Sequence, residues 1–132
     1  MSSMQLSTIH KFQGFSTTPL GKLTVENAKV IVELTVENVS IRVVFAPYQA
    51  VRVTTADCFL VAPDAFIEPR TIMEMSNSQW IEQLSGSLSQ VDETATFLTQ
   101  TRHFLVACQD NFIEIIAWDY ELMSNENINQ IH

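Results

Sequence analysis

Hydrophobic and polar residues alternate along residues 21–45, and a period of two is typical of β-strands. If Glu37 and Asn38 form a tight turn, Glu33 lies opposite Arg42 on a polar face. The other face is apolar and pairs Val36 with Val39, Leu34 with Ile41, Val32 with Val43 and Val30 with Phe45. The pattern therefore predicts an antiparallel hairpin with one buried face.

A second apolar run, residues 102–119, predicts a hairpin around a two-residue turn at Asp110 and Asn111. In this register Glu114 lies opposite Ala107, too far from His103 for a direct hydrogen bond. The reverse face also pairs Leu105 with Ile116 and His103 with Trp118. The core face pairs Cys108 with Ile113, Val106 with Ile115 and Phe104 with Ala117, and Arg102 meets Asp119 at the strand ends.

The segments between the two hairpins predict further strands and a connection. Pro47 lacks an N–H and is expected to end its strand, so residues 48–55 are predicted to form a third strand. Residues 56–70 contain two prolines and predict a connection that packs Phe59 and Phe66 against the core. Residues 71–75 predict another short strand.

The clearest helical pattern extends from Ser76 to Leu88. Ser76 and Gln79 have the spacing of a capping box, and Gly86 is expected to end the helix. Residues 89–98 are compatible with a second short helix or with a loop. The predicted apolar stripe of the main helix consists of Trp80, Ile81, Leu84 and Leu88.

The order of elements predicts an α+β fold, with helices covering one face of an antiparallel sheet. We expect a curved sheet of about five to seven strands with one or two packed helices, and a small all-β barrel is the alternative. Residues 1–132 are expected to form a single domain. Residues 1–12 and 123–132 are expected to be loose tails, with Phe12 and Phe15 as the first anchors.

The net charge of −8 is unevenly distributed. Residues 1–70 carry six acidic and six basic side chains, whereas residues 71–132 carry nine acidic side chains and one base, Arg102. An acidic surface repels phosphate backbones, so we expect no nucleic-acid partner. No apolar run approaches the length of a membrane span, and the N-terminus lacks the pattern of a signal peptide. These features predict a soluble, cytoplasmic protein with no membrane partner, whose two cysteines are reduced and buried.

Metal and cofactor sites are not predicted. The histidines stand at positions 10, 103 and 132, and Cys58 and Cys108 are far apart in the sequence, so no cluster has the spacing of a zinc site. The chain contains three glycines, and they form neither a phosphate-binding loop nor a dinucleotide fingerprint. We therefore expect no cofactor.

Two groups of residues could support catalysis. The carboxylate of Glu114 and the imidazole of His103 are the minimum for acid–base chemistry, and Cys58 could act as a nucleophile if His103 came within reach. Neither group belongs to a catalytic motif, so the sequence predicts that the protein is not an enzyme. A cysteine- or histidine-dependent enzyme is a remaining alternative, and it requires a hydrogen-bonding partner for His103.

The apolar surplus on both faces of the second hairpin predicts an interaction or assembly module. We expect it to act as a homodimer, and its acidity is compatible with a basic protein partner. The alternative is a small-ligand-binding domain with a pocket between the sheet and the helix. The candidate interaction or pocket residues are Tyr48, Trp80, His103, Glu114, Trp118 and Tyr120.

Overall fold

The computed structural model describes residues 5–55, 67–91 and 100–124, and within these ranges seven strands form one antiparallel sheet. The strand order is β1-β5-β6-β7-β4-β3-β2. The predicted antiparallel sheet is confirmed, whereas the barrel alternative is wrong because β1 and β2 are edges that do not pair with each other. The elements are β1 (Gln5–Lys11), β2 (Leu20–Glu26), β3 (Lys29–Val36), β4 (Val39–Thr55), β5 (Thr71–Ser76), α1 (Gln79–Val91), β6 (Arg102–Ala107) and β7 (Asn111–Ser124).

The β3–β4 hairpin has the predicted register in every pair from Val36 and Val39 to Val30 and Phe45. On its polar face, Nε of Arg42 lies 3.7 Å from Oε2 of Glu33. The two faces differ completely in polarity, so a slip by one residue would expose the core side chains. The alternation thus excludes a slip by one residue, and the turn at Glu37 and Asn38 selects this register among those that remain.

The β6–β7 hairpin differs from the prediction by two residues. Its turn is formed by Gln109 and Asp110, and the N–H of Cys108 donates to the carbonyl of Asn111 at 2.8 Å. Arg102 consequently faces Ala117 rather than Asp119. A shift of two residues leaves every side chain on its predicted face. The expected charge pair did not fix the register, because the long arginine side chain still reaches Asp119 diagonally at 3.2 Å.

Strand β4 continues through Pro47 for 17 residues, so the prediction that this proline ends the strand is wrong. Pairing with β3 stops at Phe45, whereas β4 pairs with β7 from Ile41 to Thr55. Pro47 therefore lies where no N–H is required on the β3 side. The register with β7 shifts between Tyr48 and Ala50, which indicates a β-bulge at Gln49.

β1 and β2 lie at opposite edges of the sheet. Only residues 12–19 connect these two strands. Phe12 and Phe15 of this connection are buried in the core, as predicted, and the carbonyl of Pro19 accepts a hydrogen bond from the N–H of Gln109. The connection thus contributes to the core and is joined to the β6–β7 turn.

Strands extend into both of the segments that were predicted to be tails. Gln5–Lys11 form edge strand β1, and β7 extends to Ser124. Residues 125–132 lie outside the described ranges. The same holds for Cys58, Phe59 and Phe66 of the predicted connection.

Helix α1 begins two residues later than the predicted capping box. Oγ of Ser78 accepts a hydrogen bond from the N–H of Ile81, so Ser78 rather than Ser76 is the N-cap. The hydroxyl of Ser76 instead donates to the carbonyl of Gln5 in β1. The helix passes Gly86 and ends at Val91, whereas residues 92–98 of the suggested second helix are outside the described ranges. Neither α1 nor any other described segment is a helix with the length and apolarity that crossing a membrane requires.

Candidate functional site

Three buried polar side chains form a continuous hydrogen-bonded chain on the sheet face opposite the core. Oγ of Ser78 lies 2.6 Å from Nδ1 of His103, and Nε2 of His103 lies 2.7 Å from Oε2 of Glu114. The relative exposures of Ser78, His103 and Glu114 are only 6%, 1% and 2%. His103 thus has both a hydroxyl and a carboxylate within hydrogen-bond distance.

Strand register brings the imidazole and the carboxylate together. His103 faces Ile116, and Glu114 faces Leu105, so His103 and Glu114 are diagonal neighbours on one face. Diagonal partners in a sheet are within reach of long side chains. The prediction that Glu114 lies too far from His103 is therefore wrong, and the cause is the shift of two residues in the hairpin register.

Glu114 is the most strongly constrained group of this site. Its Oε1 accepts from Nε of Arg52 at 2.7 Å, and its Oε2 accepts from Nη2 of Arg52 at 3.1 Å. Burial raises the pKa of Glu114, but hydrogen bonds from His103 and Arg52 together with the charge of Arg52 outweigh it and lower the pKa from its ordinary value. Glu114 is therefore an ionised carboxylate with a bidentate arginine partner.

Trp80 in the first turn of α1 covers this polar chain. Its ring packs edge-on against the His103 ring with centroids 5.5 Å apart. The guanidinium of Arg52 lies 4.1 Å from the centroid of the Trp80 ring, within the range of a cation–π contact. Helix α1 thus meets the sheet through Ser78 and Trp80, one on each side of the imidazole.

The site has the connectivity of a proton relay. Because the ionised Glu114 only accepts, Nε2 of His103 donates to it, and in the tautomer with its proton on Nε2, Nδ1 accepts from the hydroxyl of Ser78. A hydroxyl, an imidazole and a carboxylate in this order can activate a nucleophile. The same bonds also satisfy every polar atom of a buried cluster and fix the N-terminus of α1 to the sheet, which is a structural role.

The six predicted interaction residues do not form one surface. Trp80, His103 and Glu114 lie together in the polar site, whereas Tyr48 and Tyr120 pack against the core on the other side of the sheet. The Tyr120 ring lies 5.6 Å from that of Phe104. Trp118 is half-buried, and its buried Nε1 has no hydrogen-bond partner among the described residues.

A cavity of about 500 Å³ lies beside the β6–β7 turn rather than between the sheet and α1. Its lining contains no residue of α1 and no charged side chain. Cys108 contributes to this lining, and burial raises the pKa of its thiol to about 12. Cys108 is thus an unreactive thiol, as expected for a structural cysteine. The lining residues are Thr17, Thr18, Ile67, Pro69, Ala107, Cys108, Gln109 and Phe112.

Metal-binding side chains do not cluster in residues 5–55, 67–91 and 100–124. In these ranges no three His, Cys, Asp or Glu side chains are placed to hold one ion. Glu114 and His103 are close, but their remaining partners are Arg52 and Ser78.

The outer edge of β2 is an unpaired strand edge of the described sheet. β2 pairs with β3 without interruption from Leu20 to Glu26, and no described strand pairs with its other side. It contains no proline and no bulge, and Leu20 and Val25 are 54% and 48% exposed. The opposite edge, β1, is interrupted by a register shift between Thr8 and His10.

Ser78, Arg52 and the β2 edge were not identified in the sequence. Ser78 had a local signal, because a serine three residues before Ile81 is a good N-cap, but Ser76 offered a similar one. Arg52 had no local signal, since its partner Glu114 lies on a strand 62 residues away. The edge position of β2 depends on the strand order of the whole sheet.

Comparison of the chain with models of known protein families, with characterised proteins and with solved structures gave no match in any of the three.

Proposed function

We propose that this protein is an interaction module that assembles with itself through the edge strand β2. The observation that carries the proposal is the regular, open edge from Leu20 to Glu26, with exposed apolar side chains at Leu20 and Val25. Monomeric proteins usually protect such edges with bulges, prolines or short strands, because an open edge can pair with another chain. Pairing two copies would cover the β2 edge of each copy in one symmetric contact.

The charges on β2 favour a second copy over a basic partner. Lys22 and Glu26 place one charge of each sign on the edge strand. Two identical strands of this kind can match each other when antiparallel, whereas a uniformly basic surface would match only one of the two charges. The acidic excess of the chain lies elsewhere, in residues 71–132.

Light scattering coupled to size exclusion, at micromolar concentrations, tests this proposal. We expect a mass of twice the 14.9 kDa of one chain. Val25→Lys should shift the protein to the monomer, because it places a charge beside the pairing edge. Val53→Lys is the matched control, since Val53 has a similar exposure of 47% but lies on β4, which is separated from β2 by β3. A monomeric wild-type protein would refute self-assembly.

A second candidate function is acyl transfer or ester hydrolysis at Ser78, and the hydrogen-bonded chain of Ser78, His103 and Glu114 favours it. Oγ of Ser78 would form a bond to the acyl carbon as the carbonyl π bond opens, while its proton moves to Nδ1 of His103. Collapse of the tetrahedral adduct would break the bond to the leaving alcohol, which would take the proton from His103. Glu114 would stabilise the imidazolium through Nε2–H. This candidate has weaker support, because Ser78 is 6% exposed and its Oγ already accepts from the N–H of Ile81.

Labelling with a fluorophosphonate probe separates the two functions. Covalent modification of the wild-type protein that disappears in Ser78→Ala would support the enzyme. An unmodified Ser78 after prolonged exposure, in a protein shown to be folded, would contradict it. Neither result bears on the mass measured by light scattering, so the two proposals fail independently.

A further inference from the structure

A row of alternating charges runs across the polar face of the sheet toward the free edge of β2. Arg42 on β4 faces Glu33 on β3, and Glu33 faces Lys22 on β2. A second row begins four residues further along β2, where Glu26 faces Lys29 and their charged atoms lie 3.9 Å apart. Each row ends at the open edge with a charge of opposite sign, Lys22 in one and Glu26 in the other.

We propose that two copies pair antiparallel through β2 in the register that places Lys22 of each copy opposite the partner's Glu26. The two Thr24 residues then face each other on the two-fold axis. Each row becomes a continuous series of alternating charges across the interface, formed by Arg42, Glu33 and Lys22 of one copy and by Glu26 and Lys29 of the other. Opposite charges and Thr–Thr pairs at facing positions stabilise antiparallel strands.

Neighbouring registers lose this match. Sliding one strand by two residues places Lys22 opposite the partner's Thr24 or, in the other direction, opposite the partner's Ala28. Sliding it by four residues in the first direction places Lys22 opposite the partner's Lys22. Only the proposed register forms the Lys22–Glu26 pair twice. The charge pattern therefore selects one alignment of the two edges.

The apolar face of β2 matches in the same register. Leu23 packs against the core, and it would face Val25 of the second copy. Val25 is exposed in the single chain, and pairing would cover the Val25 side chains of both copies. Both faces of the joined sheet would then continue the polarity that β2 and β3 already have.

The local charge balance permits this contact despite the overall charge of −8. Residues 20–36 contain two lysines and two glutamates and are therefore neutral. Repulsion between the acidic C-terminal halves acts over longer distances and is screened by salt. The paired edges themselves face no excess of either sign.

This inference rests on the proposed self-assembly and adds the partner's alignment to it. Lys22→Glu brings two acidic pairs together in the homodimer, and Glu26→Lys brings two basic pairs together, so each variant should dissociate about tenfold or more readily than wild type. An equimolar mixture of the two variants should form a heterodimer with both pairs of opposite sign. Its dissociation constant should lie within about threefold of the wild-type value.

Charge effects on a single chain are controlled with Lys11→Glu, which makes the same change of charge at an exposed position of β1, outside the proposed rows. Circular dichroism and thermal unfolding should show that all variants are folded. Thr24→Cys should also form a disulfide-linked dimer under mild oxidation more rapidly than the wild-type chain, which retains both native cysteines.

The outcomes distinguish the register from assembly itself. If wild type is monomeric, the proposed function fails and the register with it. If wild type is a dimer but the two charge variants dissociate no more readily, or their mixture does not associate, self-assembly stands and the register is wrong. Recovery of the dimer only in the mixture supports the Lys22–Glu26 pairing.

Discussion

Glu114 accepts a 2.7 Å hydrogen bond from Nε2 of His103, its diagonal neighbour across β6 and β7. Both side chains are almost fully buried, and a carboxylate in such a place requires compensating donors. Arg52 supplies two of these donors and His103 the third. The stability of this sheet face should therefore depend on every member of the cluster.

Removing the arginine partner should be costly. Arg52→Ala leaves the buried carboxylate of Glu114 with one donor, and we expect a loss of about 2 kcal/mol, less than for a fully buried pair because the arginine side chain is half exposed. Urea unfolding monitored by tryptophan fluorescence measures this loss. The control is Arg42→Ala, which breaks the Glu33 pair on the polar face and should cost less than about 1 kcal/mol. Equal losses in both variants would contradict a special role for Glu114.

The lowered pKa of Glu114 makes stability depend on pH. Because this pKa is lower in the folded than in the unfolded chain, the contribution is present above the ordinary value of 4.5 and is lost as the pH falls through the folded value. Glu114→Gln should be less stable near neutral pH but should lose less stability on acidification. The free energy of unfolding from about pH 7 to pH 3 measures the difference between the two curves.

Other carboxyl groups also titrate in this range, so the difference between variant and wild type is the informative quantity. Glu33→Gln removes one carboxylate from the polar face and serves as the control for a lost charge. Parallel curves for wild type and Glu114→Gln would show that Glu114 does not contribute to acid unfolding.

The N-cap of α1 can be located by two serine substitutions. Ser78→Ala removes the acceptor for the N–H of Ile81 and leaves Nδ1 of buried His103 without its hydrogen-bond partner, so we expect a loss of about 2 kcal/mol. Ser76→Ala removes an exposed hydroxyl and should cost less than about 0.5 kcal/mol. Thermal and urea unfolding provide the comparison. A larger loss for Ser76→Ala than for Ser78→Ala would show that Ser76 is the N-cap, as the sequence pattern predicted.

The two hairpins show what the alternation of residues can determine. In β3–β4 one face is apolar and the other polar, and the predicted register is correct in each pair from Val36 to Val30. In β6–β7 the turn lies one residue earlier than predicted, and the resulting register shift of two residues leaves every side chain on the same face, so the alternation cannot detect it. The faces of Cys108 and Ile113 were predicted correctly, but their facing partners were not.

The polar site depended on information that is not local in the sequence. The predicted register of the β6–β7 hairpin differs from the observed one by two residues, and it therefore placed His103 and Glu114 too far apart for a hydrogen bond. Arg52 belongs to β4, and its contact with Glu114 follows from the pairing of β4 with β7. Two serines near the start of α1 offered alternative caps, and only the tertiary contact with His103 distinguishes Ser78. The open edge of β2 likewise follows from the order of all seven strands.

The start of β2 packs so closely on the β6–β7 hairpin that a side chain at Gly21 would force neighbouring atoms to shift. A Cβ at Gly21 would lie 2.5 Å from Sγ of Cys108 and 3.3 Å from Cδ1 of Ile113. Gly21→Ala should therefore lower the free energy of unfolding by about 1–3 kcal/mol. Adding Cys108→Ala removes the closest atom, so the double variant should be at least about 1 kcal/mol more stable than the sum of the single losses predicts. In contrast Gly86→Ala, within α1 and with open space around it, should stabilise by about 0.5–1 kcal/mol. Strictly additive losses at positions 21 and 108 would show that the contact between β2 and the hairpin is looser than this packing requires.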